Sequence, residues 1–329
     1  MKSKVCFSSV CTGDSYSYYI PLFVYTVKRA YPDAGVKVFV TGKLNDDIHE
    51  ALKLIPYDGW EVKEDCFKSY PNKSHMTNCL RFLVDEKEYK GYSYVFVKDI
   101  DFLIFSHKTS HYQYFKKQIG KLPYFGARGP HRRPRRYNIN GSGWKCKYTR
   151  VAGGSFSFKN PAWFEKTKKA QKEYRHSFKH NLHDRYDSHK PASYREYDEV
   201  MLYRIIKLSG LKVPTRKNKN ALGKRAPKKY RDMHLGDFNK KKHNKKRVSK
   251  RITIENVRNF AKLERDPVWI EIRKRMRTSS RVRESLRRAR KYVKKRLNLS
   301  SLSGEGTVKK RLKKPSDQFA DKPTPTGKQ

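Results

Sequence analysis

The chain has 329 residues, 36% of them hydrophobic, and a formal net charge of +47 from 78 Lys+Arg against 31 Asp+Glu. That apolar content supports one substantial core but leaves residues over, so one large domain with extensions is expected. The charge calls for a polyanion as partner (nucleic acid, anionic lipid or acidic glycan), and the five scattered cysteines (Cys6, Cys11, Cys66, Cys79, Cys146) offer neither a disulfide framework nor paired CxxC spacing, which fits a reducing compartment.

Met1 to Val10 is a polar start and then a brief apolar run, too short for a signal peptide's apolar region and read as a first strand. No stretch approaches the ~18 consecutive apolar residues that would cross a bilayer. A cytoplasmic protein, at most peripheral on a membrane, is the expectation. A helical pattern over Tyr18 to Ala30, a strand over Val36 to Thr41, a helix over Asp46 to Ile55, a helix over Lys73 to Val84 and a strand over Tyr94 to Phe105 follow, with Pro32, Gly42, Pro71 and Gly91 between them. This is the rhythm of an α/β sheet.

From Arg128 to Arg150 the chain is rich in Gly, Pro and Arg and reads as a long loop; Arg216 to Arg231 reads as a second. Composition shifts after Asn239. Residues 240 to 329 hold 31 Lys+Arg and 8 Asp+Glu, a net of +23, about half the total charge. The division expected is therefore a main folded domain over 1–239, a basic linker and helical extension over 240–302, and a disordered tail over 303–329. Within the extension, Val282, Leu286, Ala289, Val293 and Leu297 recur at helical spacing among arginines and lysines. Such a basic amphipathic helix has three destinations: its stripe inserted in an anionic membrane, its arginines on nucleic-acid phosphates, or its stripe packed on the domain.

The segment that points to chemistry is Tyr94 to Phe105, an apolar run interrupted by Asp99 and Asp101. Residues two apart in an extended chain face the same side, so both carboxylates can converge on a divalent cation where a buried strand ends. Burying two such acids among Val, Ile, Phe and Leu is costly without a cation or another partner. Open α/β sheets bind ligands at such strand ends.

On these residues the chain resembles the GT-A-fold glycosyltransferases, in particular the retaining, nucleotide-sugar-dependent group that includes lipopolysaccharide galactosyltransferases and glycogenin. The resemblance implies a Rossmann-like mixed, mostly parallel sheet flanked by helices, here with a basic helical C-terminal extension. It implies Mn2+ or Mg2+ and a UDP-sugar as donor. Val5 to Ala30 is similar to the family's nucleotide-binding opening, with Ser9, Val10, Thr12 and Tyr18 at the base and ribose. Lys73 to Asp85 is similar to the helix before the DxD strand, with Arg81 near the diphosphate and Asp85 in the sugar pocket. Val151 to Asn160 resembles the acceptor-side strand, where Gly153 and Gly154 would let a sugar approach closely. The start of Tyr197 to Ile206 resembles the helix that brings a carboxylate to the anomeric carbon, with Glu199 and Asp198 as candidates. Met233 to Lys240 resembles the closing motif, making His234 the third metal ligand and putting Gly236 and Lys240 on the diphosphate. That lysine lies one residue further out than in the commoner form, and no Pro-Trp follows it.

The implied reaction moves a hexose from a nucleotide diphosphate to a glycan, lipid-linked or other polyanionic acceptor, with retention at the anomeric carbon. Two rivals stand beside it. One is a nucleic-acid-associated enzyme, glycosylating modified DNA bases or carrying out nucleotidyl or phosphoryl transfer; the latter needs another well-placed acid, and no GxxxxGK[ST] run is present. The other is a non-catalytic nucleic-acid-binding protein, favoured by charge and by Tyr and Phe content but without a recognisable module.

Overall fold

The computed structural model describes residues 4–70, 78–106, 111–119, 122–125, 156–180, 197–212, 232–238 and 252–302. Strand β1, Val5–Cys11, is buried on both faces. It sits centrally because nearly every residue in it is apolar or a small serine, as a two-sided parallel strand requires. After the short helix α1, Gly13–Ser17, comes α2, Ile20–Ala30, with Pro21 in its first turn and a nearly continuous buried surface. Strand β2, Gly35–Val40, then helix α3, Asp46–Lys53, and the edge strand β3, Trp60–Lys63, follow. The chain returns to the other side of β1 with β4, Tyr94–Val97.

Strands β1 to β4 run parallel: β1 pairs with β2 on one side and β4 on the other, with Ser8 opposite Val97, and β2 pairs with β3. Beyond β4 the sheet turns antiparallel. After β5 (Phe102–Leu103) and helix α4 (His111–Ile119), β6 (Tyr124–Phe125) and β7 (Phe156–Lys159) complete an order β3-β2-β1-β4-β7-β6. The mixed, mostly parallel sheet expected from the sequence is thus the fold. Of the helix expected over Lys73 to Val84, residues 78–80 are helical and 71–77 lie outside the described residues.

The remaining elements are α5 (Ala162–Lys179), α6 (Tyr197–Leu208), β8 (Met233–His234), α7 (Ile254–Leu263), α8 (Pro267–Arg275) and α9 (Ser280–Leu302). Two clusters of buried residues flank the sheet. One joins Phe7, Val36, Val38 and Phe96 to α2, α3 and the three C-terminal helices; the other joins Cys6, Phe39, Val95 and Val97 to α5 and α6. The alternation along each strand sends neighbours to opposite faces.

The extension is built into the first cluster. Val282, Leu286, Ala289 and Val293 of α9 are buried there, as is Trp269 of α8. Asp266 caps α8 by accepting from Trp269 N, and it also takes Tyr25 Oη at 2.6 Å and Arg29 Nε at 2.9 Å from α2. Of the three destinations for the amphipathic stripe, the structure gives the third: insertion of that stripe in a membrane is corrected, because the protein's own core already covers it. Among the described residues, no helix is long and apolar enough to cross a membrane. The loops over Arg128 to Arg150 and Arg216 to Arg231, the linker to Arg251 and the tail over 303–329 lie outside the described residues.

Candidate metal and nucleotide site

The chain leaves β1 for β2 on one side and returns to β4 on the other, so the C-terminal ends of β1 and β4 form the switch point of the sheet, where open α/β sheets bind ligands. Pairing continues just past β4, with Lys98 N donating to Ser8 O at 2.9 Å, and Ser9 Oγ donating to Lys98 O at 2.9 Å. The backbone then turns, with Phe102 N donating to Asp99 O at 3.3 Å. Asp99 and Asp101 therefore converge across a turn, where an extended strand was expected. The strand ends at Val97, and Phe102–Leu103 begins a separate two-stranded ladder.

That ladder delivers the histidine. Phe102 pairs with His234 and Leu103 with Met233, while Leu235 N donates to Asp101 O at 2.9 Å. The imidazole stacks on Phe102 with ring centres 4.7 Å apart. Its Nε2 lies 3.0 Å from Asp101 Oδ1 and its Nδ1 3.5 Å from Asp237 Oδ1. Asp99, Asp101 and His234 each offer a ligand atom within 4.8 Å of the others. Two carboxylates and an imidazole suit a hard or borderline divalent cation such as Mn2+ or Mg2+, and Asp237 on the far ring nitrogen is the orienting partner a ligating histidine usually has. The donor set fits the metal implied by the sequence.

Within the cluster the side-chain charges offset one another. Burial pushes His234 toward neutrality, but the charge of Asp101, its hydrogen bond and that of Asp237, and the charge of Asp99 outweigh it and raise the imidazole to about 10. Burial also works against ionised Asp99, yet the charges of Arg81 and His234 hold it below the ordinary carboxylate range. Arg81 is buried and bridges two acids, Nη1 to Asp99 and Nη2 to Asp198. Burial opposes its charge, and the two carboxylates raise its pKa all the same.

The other expected residues divide. Gly236 lies against the ligands: a Cβ there would sit 2.4 Å from Asp101 Oδ2 and 3.1 Å from His234 Nε2. Its missing side chain makes room for Asp101 and the imidazole. Gly236→Ala is accordingly expected to displace Asp101 and cut Mn2+ affinity about 10–100-fold, measured by calorimetric titration, with the melting temperature little changed. Ser9 is fully buried with its hydroxyl donated to Lys98 O, so its side chain staples β1 to β4. Val10 and Thr12 are half-buried at the strand exit, and Tyr18 Oη accepts from Asn45 Nδ2 at 3.0 Å. Asp85 caps the turn Glu86–Tyr89 through Lys87 N and lies 3.7 Å from Arg175; these contacts hold a loop and do not join it to the carboxylate cluster. Asp198 is clamped by Arg81. The side chain of Glu199, and Gly153, Gly154 and Lys240 altogether, lie outside the described residues.

Three participants were not foreseen. Asp237 stood in plain sight in the segment His234 to Asp237, three residues after the histidine. The buried ion pair of Lys98 with Asp232, 3.1 Å, joins the residue before Asp99 to the segment two residues before His234. Tyr16, on α1, carries the guanidinium of Arg281 over its ring at 4.3 Å. No local pattern announces the last two, which depend on contacts across more than a hundred residues.

No protein-family model and no curated protein matches the chain. Similar solved structures are glycosyltransferases. The galactosyltransferase LgtC in complex with donor and acceptor sugar analogues shares 15% identity over 60% of this chain and 69% of its own, with a TM-score of 0.38. GlyE of Streptococcus pneumoniae TIGR4 shares 13% over 68% of this chain, which spans only 45% of GlyE, with a TM-score of 0.37. Core-mannan synthase A of Aspergillus fumigatus, in its Mn/GDP form, shares 6% over 62% and 70% respectively, with a TM-score of 0.41. Overlaps this partial carry no weight for the reading of the site, which stands on its own side chains.

Proposed function

We propose that the protein is a metal-dependent glycosyltransferase that takes a hexose from a nucleotide diphosphate sugar, UDP-linked in the first instance. The observation that carries the reading is the convergence of Asp99, Asp101 and His234 at the switch point of a mostly parallel sheet. A nucleotide diphosphate leaves only if its growing negative charge is neutralised, and a bound Mn2+ or Mg2+ supplies that as a Lewis acid. The chain's part is to hold the ligands. Asp237 orients the imidazole, Gly236 leaves room for Asp101, and Arg81 fixes Asp99 from behind. With Asp198 tied to Arg81, Glu199 beside it is the carboxylate proposed for the anomeric carbon, by the logic of paired acids in glycosyl transfer. Retention of configuration is carried over from the sequence resemblance.

The two-metal phosphoryl-transfer rival needs open carboxylates around a second ion. Among the described residues, Asp198 is held by Arg81 and Asp237 by His234, which favours a single cation. The polyanionic partner is proposed to meet the extension through a groove lined by Arg273, Arg277, Arg283, Arg287 and Arg290. Because the apolar stripe is buried, an anionic membrane or a nucleic acid would be held by charge alone, and a cytoplasmic, at most peripheral, location is part of the same proposal.

The test is donor hydrolysis without acceptor across uridine and guanosine diphosphate sugars, with Mn2+ and then with a chelator. Turnover that appears only with metal is the expected result. No turnover together with no metal-dependent donor binding would turn the assignment toward nucleic-acid binding.

A further inference from the structure

We infer that Arg281 of the C-terminal helix, seated on Tyr16, is a binding residue for the diphosphate of the donor, so that the extension completes the site it packs beside. The inference rests on the nucleotide-sugar reading above.

The first observation is where α9 lies. The flank beside its buried stripe runs through positions 281, 285, 288 and 292, spaced as one side of a helix. Arg281 covers Tyr16, Ser285 Oγ and Tyr19 Oη share a hydrogen bond of 2.8 Å, Arg288 Nη1 donates to Phe238 O at 3.1 Å, and Tyr292 packs edge-on against Phe238 at 5.8 Å. Tyr16 and Tyr19 follow the end of β1, and Phe238 ends the turn after His234. The helix thus bridges the two segments that flank Asp99 and Asp101. After burial, the charge of Asp101 is the next cause raising the pKa of both Tyr16 and Cys11, in keeping with that carboxylate facing the β1 exit.

The second observation is which cations remain available. Arg81 is buried and held by two carboxylates, so it has little left to offer a phosphate. On α9, Arg287 and Arg288 pair with Glu284, and Arg290 shares Glu264 with Arg273. Arg281 is exposed, and among the described residues no carboxylate lies within ion-pair distance of it. A guanidinium carries five N–H donors, so its contact with Tyr16 leaves others that can grip phosphate oxygens in pairs.

The third is charge balance. Asp99 and Asp101 already use the two charges of a divalent cation, so a diphosphate arriving there brings negative charge that the metal leaves uncompensated. A cation approaching from the side of β1 answers that need, with Arg81 already committed to two carboxylates.

The experiment is calorimetric titration of the full chain with UDP in Mn2+, and with Mn2+ alone, for wild type, Arg281→Ala, Arg281→Lys and Lys294→Ala, an exposed change on the same helix. Arg281→Ala is expected to weaken UDP binding at least tenfold with Mn2+ affinity within twofold of wild type; Arg281→Lys should recover part of the loss and Lys294→Ala should lose none. UDP binding within twofold of wild type in Arg281→Ala overturns the role of Arg281 while leaving the nucleotide-sugar reading intact. A wild-type chain that binds no UDP with metal overturns both.

Discussion

Changing Asp99 and Asp101 together to asparagine is expected to lower metal-dependent donor turnover on the order of 10^3-fold, the effect of losing about 4 kcal/mol of stabilisation of a departing diphosphate. The amides keep the size of the side chains and remove the two charges that define the cation site. The same variant changes how the metal-free protein responds to pH. His234, raised to about 10 against its own burial by Asp101, Asp237 and Asp99, contributes stability that is fully present below its unfolded value near 6.5 and is lost as pH rises through about 10. Asp99, held low, contributes in the opposite sense: its stability is present above the ordinary carboxylate range and lost as pH falls through its depressed value. Thermal melting of metal-free wild type should therefore weaken between pH 6.5 and 10, and that slope should flatten in the double variant. Binding of Mn2+ at pH 7 should release about one proton in wild type, because the imidazole must give up its proton to become a ligand. Metal-stimulated turnover surviving in the double variant would remove Asp99 and Asp101 from the reaction.

The parts of this site that the sequence announces are those written in local chemistry. Asp99 and Asp101 stand out because two acids interrupt Val, Phe, Ile and Leu, and the desolvation cost of that arrangement demands a partner. Strands β1, β2 and β4 are legible for the same reason, as apolar runs bounded by turn residues. Strand β3 is not, because Trp60 to Lys63 alternates charge with bulk and is only half-buried at the sheet edge. Periodicity marked the stripe of α9 correctly as apolar but could not say what covers it, since a helix packed on its own domain and one lying on a lipid surface share the same 3.6-residue repeat. Ser9 shows the converse. A serine near a strand end is as suited to a nucleotide as to a neighbouring carbonyl, and only the parallel pairing of β1 with β4 decides for Lys98 O. His234 is legible from the order of motifs, yet what seats it is a two-residue ladder with Phe102–Leu103 too short to leave a pattern.

The largest stability effect is expected from Lys98→Met. Lys98 follows the last residue of β4 and precedes Asp99; Asp232 stands two residues before His234. Their side chains are 4% and 1% exposed, and the ammonium also lies 5.9 Å from the ring of Phe102. The pair therefore fastens together the two segments that carry the metal ligands, inside the protein where neither charge has water to fall back on. Removing the cation leaves Asp232 buried without it, which costs about 3–5 kcal/mol. For a chain whose whole stability is on the order of 5–15 kcal/mol, this is a large fraction, and melting should fall by roughly 10 °C. Replacing both partners, Lys98→Met with Asp232→Leu, removes the stranded charge and should restore most of that stability, since a buried ion pair and a well-packed apolar pair are often close in energy. Metal affinity is the discriminating measurement in the double variant. If the ion pair only stabilises the fold, Mn2+ binding recovers along with the melting temperature. If it also sets the distance between Asp99 and His234, melting recovers while Mn2+ affinity stays about tenfold down, because apolar contact holds the two segments together without fixing their register as a 3.1 Å charged hydrogen bond does.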